Sequence, residues 1–459
     1  MDFSASNAVL WNGMLQLGML AGVLLIANIL RRKVPLFRKS LIPTAVLAGF
    51  IVLLLRISGI VAVNGELMEM ITYHTIAIGF IALSLQVPEK NNQALKADFT
   101  GAKSGALIVS TYMLQGLVGL AISIGLSLTL MPDFFKAAGI LLPMGYGQGP
   151  GQANNVGSTY EVLGFKGGQS FGLSLAAIGF LCACIVGVVL LNILKRRKII
   201  SAGEGEVISG SVTIDYFQSK NEIPIAESVD RLSVQFAFIL LIYLCTYLVS
   251  LGLTAVLAAL LPGLSGTLSS LVWGFNFIIG ALLAILLRNA LQGLRKAKLM
   301  SRQYPNNYLL SRIAGCAFDF MVVAGIAAIN MEDLSGLWLP FVLMAVGGGV
   351  VTLLYLQWLC KKIYPGYYYE GLLSMFGMLT GTISSGVLLL REIDPSFTTP
   401  AATNLLTGSS FAIVFGIPML LLIGLAPQSE AMLLLTLAIL CAYLLLLLLF
   451  MLKAKGRKA

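Results

Sequence analysis

The sequence predicts an all-α integral membrane fold: about eleven transmembrane helices in two inverted five-helix repeats, each with a re-entrant hairpin, plus one C-terminal helix. Three observations predict it. Of the 459 residues 58% are hydrophobic and only 11% charged, whereas soluble domains carry about a quarter charged residues. Lys and Arg segregate to alternate connections between the apolar runs. Two Gly-rich segments, one in each half, are too polar at their centres to be ordinary spans and too apolar at their entries to be surface loops.

Taken in order, the first half holds apolar runs at 11–30, 41–57, 71–87, 104–130 and 168–194. The second half holds 233–261, 266–287, 309–330, 337–359 and 401–425, and a last run covers 431–452. Each is read as long enough to cross a hydrocarbon core about 30 Å thick. The chain therefore divides into a first repeat over 1–194, a cytoplasmic linker over 195–232, a second repeat over 233–425, and an extra helix with a basic tail over 426–459. Asp2, with no Lys or Arg before the first run, is the wrong charge for a signal-peptide n-region, so that run is expected to be a span and not a cleaved leader.

Charge tests the map. With the N-terminus outside, the inner connections are 31–40, 88–103, 195–232, 288–312, 359–400 and 453–459, and they hold 27 of the 30 Lys and Arg. Arg56, Lys136 and Lys166 are the remainder. This positive-inside bias predicts N-out, C-in. The net charge of +10 is then a topology signal and no nucleic-acid footprint. The six cysteines lie in or beside apolar runs; Cys182 and Cys184, spaced C-x-C without a partnering His, read as small core residues.

The first exceptional segment, near 137–162, reads AAGILLPMGYGQGPGQANNVGSTYEV. As a lipid-exposed span it would leave backbone and amide groups unsatisfied at several kcal/mol each. The second, near 366–394, has an apolar entry, a small polar tip and an apolar exit. Both are expected to be re-entrant hairpins between the fourth and fifth helices of their halves. One half starts outside and the other inside, which makes the repeats inverted. Paired broken hairpins are the architecture expected around a transport site, because helix N-termini and freed carbonyls can hold substrate and ions there.

At these hairpins the chain resembles the sodium/glutamate symporter family. The stretch that carries the resemblance runs over 76–197, through TIAIGFIALSLQV and AAGILLPMGYGQGPGQANNVGSTYEVLGF, with a second patch, RIAGCAFDFMVVAGIAAINMEDL, at 312–334. Gly145-Tyr146-Gly147-Gln148-Gly149 stands where the family has a GGHGT-like run. The resemblance implies a homodimeric carrier of the bacterial inner membrane. It would couple uptake of glutamate, or a related amino acid or small organic anion, to sodium by elevator-like alternating access. It implies no cofactor beyond the coupling ion.

Candidate site residues follow from the tips. Gln148, Gln152 and Asn154 place amides at the first tip, whose oxygens suit sodium and whose NH2 groups suit a carboxylate; otherwise they satisfy the hairpin's own backbone. Gly147 and Gly149 allow close backbone approach. Thr380, Gly381, Thr382, Ser384 and Ser385 form the second tip; such hydroxyls also back-bond to helical carbonyls. Asn155 and Asp319 are the candidate sodium ligands. Asp319 is the carboxylate placed mid-span, a functional hypothesis by default, with a structural pairing to His74 or to a backbone amide as the alternative. A proton-coupled carrier stays open. A channel is the less favoured alternative, since it would need a continuous polar stripe and polarity here concentrates at two points. An enzyme would need a nucleophile–base pair or metal ligands, and with one His and no HExxH or GxSxG none is expected.

Overall fold

The structure, a computed structural model, describes residues 4, 7–39, 41–87, 99–197, 231–260, 269, 272–394 and 399–453. Most of the expected linker, the residues 88–98 of another inner connection and the basic tail lie outside these residues. The described chain is all-helical. In order the helices are α1 (Ala8–Lys33), α2 (Pro35–Lys39), α3 (Thr44–Ile57), α4 (Gly65–Leu85) and α5 (Phe99–Leu128). A 3-10 turn (Lys136–Ile140), the short α6 (Leu141–Pro143) and a π turn (Met144–Gln148) lead into α7 (Pro150–Val162), followed by α8 (Gly168–Arg196). The second half holds α9 (Arg231–Leu260), α10 (Asn276–Lys296), α11 (Asn307–Ala328), α12 (Trp338–Ile363), α13 (Tyr368–Thr380) and α14 (Ile383–Arg391). It ends with α15 (Ala401–Phe415), α16 (Ile417–Leu425) and α17 (Glu430–Lys453).

Among the described residues nine helices are long and apolar enough to cross a membrane, or ten if the bent pair α15–α16 counts as one. This is a multi-pass membrane protein. Three of the eleven expected runs differ from their reading. The run at 41–57 gives α3, only 14 residues and so roughly 21 Å long. The run at 401–425 is two helices, bent by 49°. Its break at Gly416 precedes Pro418, which cannot continue the ladder, and Tyr443 Oη donates to the freed Phe415 carbonyl at 2.7 Å. The run at 266–287 yields a helix that begins at Asn276 and runs on to Lys296.

Two compact units divide the chain, and neither is a sequence half. The first comprises 1–69, 93–205 and 322–459, the second 70–92 and 206–321. In the first, α5 runs beside α12, α15, α17 and the 3-10 turn before α6. Small residues set these contacts, as is usual where lipid supplies no hydrophobic drive. A methyl group on Gly119 would lie 2.1 Å from the Gly139 carbonyl oxygen, so backbone meets backbone there. The only ion pair among the described residues joins Lys136, at the base of that 3-10 turn, to Glu430 of α17. Arg56 Nη1 donates to the carbonyls of Ala327, Ala328 and Ile329 at 2.9, 3.2 and 3.2 Å, a cation on the negative end of α11.

The second unit packs α9, α10 and the parts of α4 and α11 that belong to it. Ile81, Ala82 and Leu85 of α4, Ile239 and Ile242 of α9, Ala284 of α10 and Leu310, Ile313 and Ala314 of α11 form one buried cluster. Much of α9 faces outward with large apolar side chains, Leu240, Leu244, Leu248 and Leu251 among them.

Candidate functional site

The first exceptional segment folds back at Gly149. Its entry arm runs alongside α8 in the same direction: Leu141 approaches Gly172, Gly145 approaches Leu175 and Ala176, and Tyr146 approaches Gly179. The exit arm α7 runs the other way, with Ala153 beside Gly172 and Gly157 beside Gln169. The two ends meet: Phe135 packs against Tyr160 and Phe165, with ring centroids 5.4 and 5.2 Å apart. Buried tyrosines anchor both arms, Tyr146 Oη donating to the Ala345 carbonyl at 2.6 Å and Tyr160 Oη to that of Ile423 at 2.9 Å.

The second segment folds back at Gly381 and Thr382. A methyl on Gly377 would lie 2.8 Å from Gly386 Cα, and one on Gly386 would lie 2.4 Å from the Ser374 carbonyl oxygen. The arms α13 and α14 are therefore antiparallel and in backbone contact. Their apolar flank packs on α8 through Leu373, Leu389, Leu191 and Leu194.

The tips meet each other. A methyl on Gly149 would lie 3.6 Å from Thr382 Cγ2 and 3.9 Å from the Gly381 carbonyl oxygen. Two helices, α7 and α14, begin at this junction, and neither has a side-chain cap. The first N–H groups of a helix have no intrahelical partner and carry its positive dipole end, which favours an anion. Two arms end there, at Gln148 and Thr380, and the last carbonyls of a helix favour a cation. Three of the buried side-chain oxygens without a hydrogen-bond partner among the described residues belong to these elements and α5: Gln152 Oε1 in the first turn of α7, Ser385 Oγ in the first turn of α14, and Gln115 Oε1 in α5.

No family model, curated protein or solved structure matches this chain.

The structure brings Gly149, Gly381 and Thr382 together and sets Ser385 beside them. Gly147 lies against Tyr112 and Gln115. Other candidates have local partners. Thr380 Oγ1 donates to the Phe376 carbonyl at 2.8 Å, the back-bond weighed from sequence. Asn154 Oδ1 accepts from Gln169 Nε2 at 2.8 Å, and Asn154 Nδ2 donates to Asn155 Oδ1 at 3.5 Å. Gln148 is half-buried at the end of the π turn. The Ser384 side chain lies outside the described residues.

Asp319 belongs to the second unit, while the tips and Asn155 belong to the first. Its side chain is exposed on the surface of α11 and makes no hydrogen bond or ion pair with a described residue. The pairing with His74 is absent, because His74 Nδ1 is bonded to Tyr243 Oη.

Gln115 was not among the sequence candidates. Its Nε2 donates to Thr352 Oγ1 at 2.9 Å and to the Leu379 carbonyl at 3.0 Å, so it grips α12 and the end of α13. Its Oε1 would lie 3.1 Å from a methyl on Gly147. One glutamine thus sits between both hairpins. The signal was available, because Gln115 is the sole amide side chain of the apolar run Phe99–Leu128. Gln115→Leu removes the donor of Thr352 and Leu379 inside a buried site, which costs about 1–3 kcal/mol. A lowered thermal midpoint of the detergent-purified protein is the expected result.

Away from the tips, α8 begins beside carboxylates. Gln169 N donates to Glu161 Oε1 and Ser170 Oγ to Asp333 Oδ2, both at 3.0 Å. Burial pushes the Glu161 carboxyl up, and the neighbouring Asp333 and Glu69 act in the same direction. Carboxylates at a helix N-terminus are sufficiently explained by the dipole they face.

Proposed function

We propose that this protein is an ion-coupled secondary transporter of a small organic anion, with the cargo held between the two tips. The observation that carries the reading is the junction of Gly149 with Gly381 and Thr382, where two uncapped helix N-termini and two carbonyl ends converge beside Gln152, Gln115 and Ser385. Such a junction offers an anion its N–H groups and a cation its oxygens at one place, so each can favour binding of the other. In this reading the folded-back segments are re-entrant hairpins of two inverted repeats. The resemblance to sodium/glutamate symporters adds sodium as the coupling ion and glutamate or a related amino acid as cargo. It also adds a homodimer in a bacterial inner membrane and movement of the hairpins as a unit. The basic-residue bias supports N-out, C-in.

The test is counterflow into liposomes containing the purified protein, over a panel of amino acids and dicarboxylates, with and without sodium. At least one anion is expected to exchange faster than in protein-free vesicles, and faster with sodium. Exchange driven by a pH gradient and indifferent to sodium moves the assignment to proton coupling. No exchange of any panel member under either gradient rejects the transporter reading for this substrate class.

A further inference from the structure

The sequence has one histidine, and the second unit builds a closed hydrogen-bond chain around it. His74 Nδ1 and Tyr243 Oη are 2.6 Å apart. Asn276 Nδ2 donates to Tyr73 Oη at 2.8 Å and toward Tyr243 Oη at 3.5 Å. Tyr73 Oη donates to the Trp273 carbonyl at 2.8 Å. Asn276 is 4% exposed, the first residue of α10, and its Oδ1 is buried without a partner.

In one arrangement of the protons the Tyr243 hydroxyl, which receives from Asn276, donates to His74 Nδ1, and the neutral ring carries its hydrogen on Nε2. A second arrangement is available. If Nδ1 gains a proton, it donates to Tyr243 Oη, whose own hydrogen then needs an acceptor. Rotating the Asn276 amide supplies one, the unused Oδ1, and withdraws the bond that Asn276 gives Tyr73. No proton is lost or made in the exchange: one comes from water to Nδ1, and Tyr243 keeps its own.

We propose that His74, Tyr243 and Asn276 form a proton-operated switch linking α4, α9 and α10 of the second unit. In the first state the start of α10 donates to Tyr73 of α4 and toward Tyr243 of α9; in the second it releases Tyr73 and holds Tyr243 alone, as its acceptor. The titratable groups that face His74 are Tyr73 on its own helix and Tyr243 from α9, in edge contact with its ring. From α10 comes the neutral Asn276, and no charged group among the described residues bears on it. Histidine is the side chain whose ordinary titration falls nearest neutral pH, so the switch answers to acidification. It stands whether or not the tips carry cargo.

The single histidine makes the test direct. The full chain, labelled with nitrogen-15 histidine and held in lipid nanodiscs, gives one pair of ring-nitrogen signals. The expected spectrum at neutral pH has a bare Nδ1 and a protonated Nε2, converting in one step on acidification. Asn276→Asp, which presents a charged acceptor to Tyr243, is expected to raise the midpoint by about one pH unit. Asn276→Ala, which removes the acceptor, is expected to lower it while leaving the neutral tautomer unchanged. A wild-type spectrum with the hydrogen on Nδ1 overturns the proposal and needs no variant. A shift of less than about half a unit in Asn276→Asp also overturns it.

Discussion

Gly149→Ala is expected to cut uptake of the cargo found in the liposome panel by at least about tenfold, with helical content and elution profile unchanged. Gly149 sits at φ 89° and ψ −174°, a region that is essentially glycine's alone and costs another residue about 1–3 kcal/mol. Space is not the obstacle, because the nearest atom to the added methyl is Thr382 Cγ2 at 3.6 Å, ordinary contact. The cost falls on the one residue that turns the entry arm into α7, so the first N–H groups of α7 are re-aimed. A loss of about 1.4 kcal/mol is already tenfold. Uptake within twofold of wild type would show that the junction does not hold the cargo.

The largest loss of stability is expected at the crossing of α5 and the 3-10 turn. A methyl on Gly139 would lie 2.1 Å from both the Gly119 carbonyl carbon and Leu120 N. These are backbone atoms and cannot rotate aside. Gly139→Ala must separate two elements that touch over their main chains, and overpacking of this kind costs about 1–3 kcal/mol and sometimes more. Gly125→Ala is the internal control, since nothing lies within 4 Å of its added methyl. Replacing a helical glycine in open space is expected to stabilise by up to about 1 kcal/mol. Thermal midpoints in detergent should therefore move in opposite directions. If both fall alike, the loss is a general cost of adding a methyl group and not specific to the crossing.

Helix positions were legible because bilayer thickness and positive-inside bias act on composition, which a single sequence carries in full. The runs that became α4, α5, α8, α9 and α12 needed only adjustments at their ends. The break at Gly416 was masked by apolarity on both sides of it, and only Pro418 signalled it. Both folded-back segments were legible from their glycines, with amides at the first tip and hydroxyls at the second. Their tip partners were less so. Thr382 and Gly149 meet across more than two hundred residues, and nothing local encodes that contact. Asn154 read as a site residue by type, yet Gln169, fifteen positions on, takes its oxygen. Asp319 read as buried because it lies mid-run; which face of α11 it occupies depends on neighbours that one sequence does not reveal.

The π turn Met144–Gln148 has a consequence for chain length. A π turn takes up an extra residue relative to the α turn it replaces, so the entry arm holds one more residue than a regular helix would between Pro143 and Gly149. Deleting a single residue there would close the widened turn to a regular one and shift the residues within it, Tyr146 among them, to new positions on the arm. Tyr146 would swing away from the Ala345 carbonyl it now holds. The segment therefore does not behave as a loop of adjustable length. Its register is fixed at one end by a tyrosine and at the other by a glycine turn, and homologues that keep the junction should vary in residue type here while keeping the count.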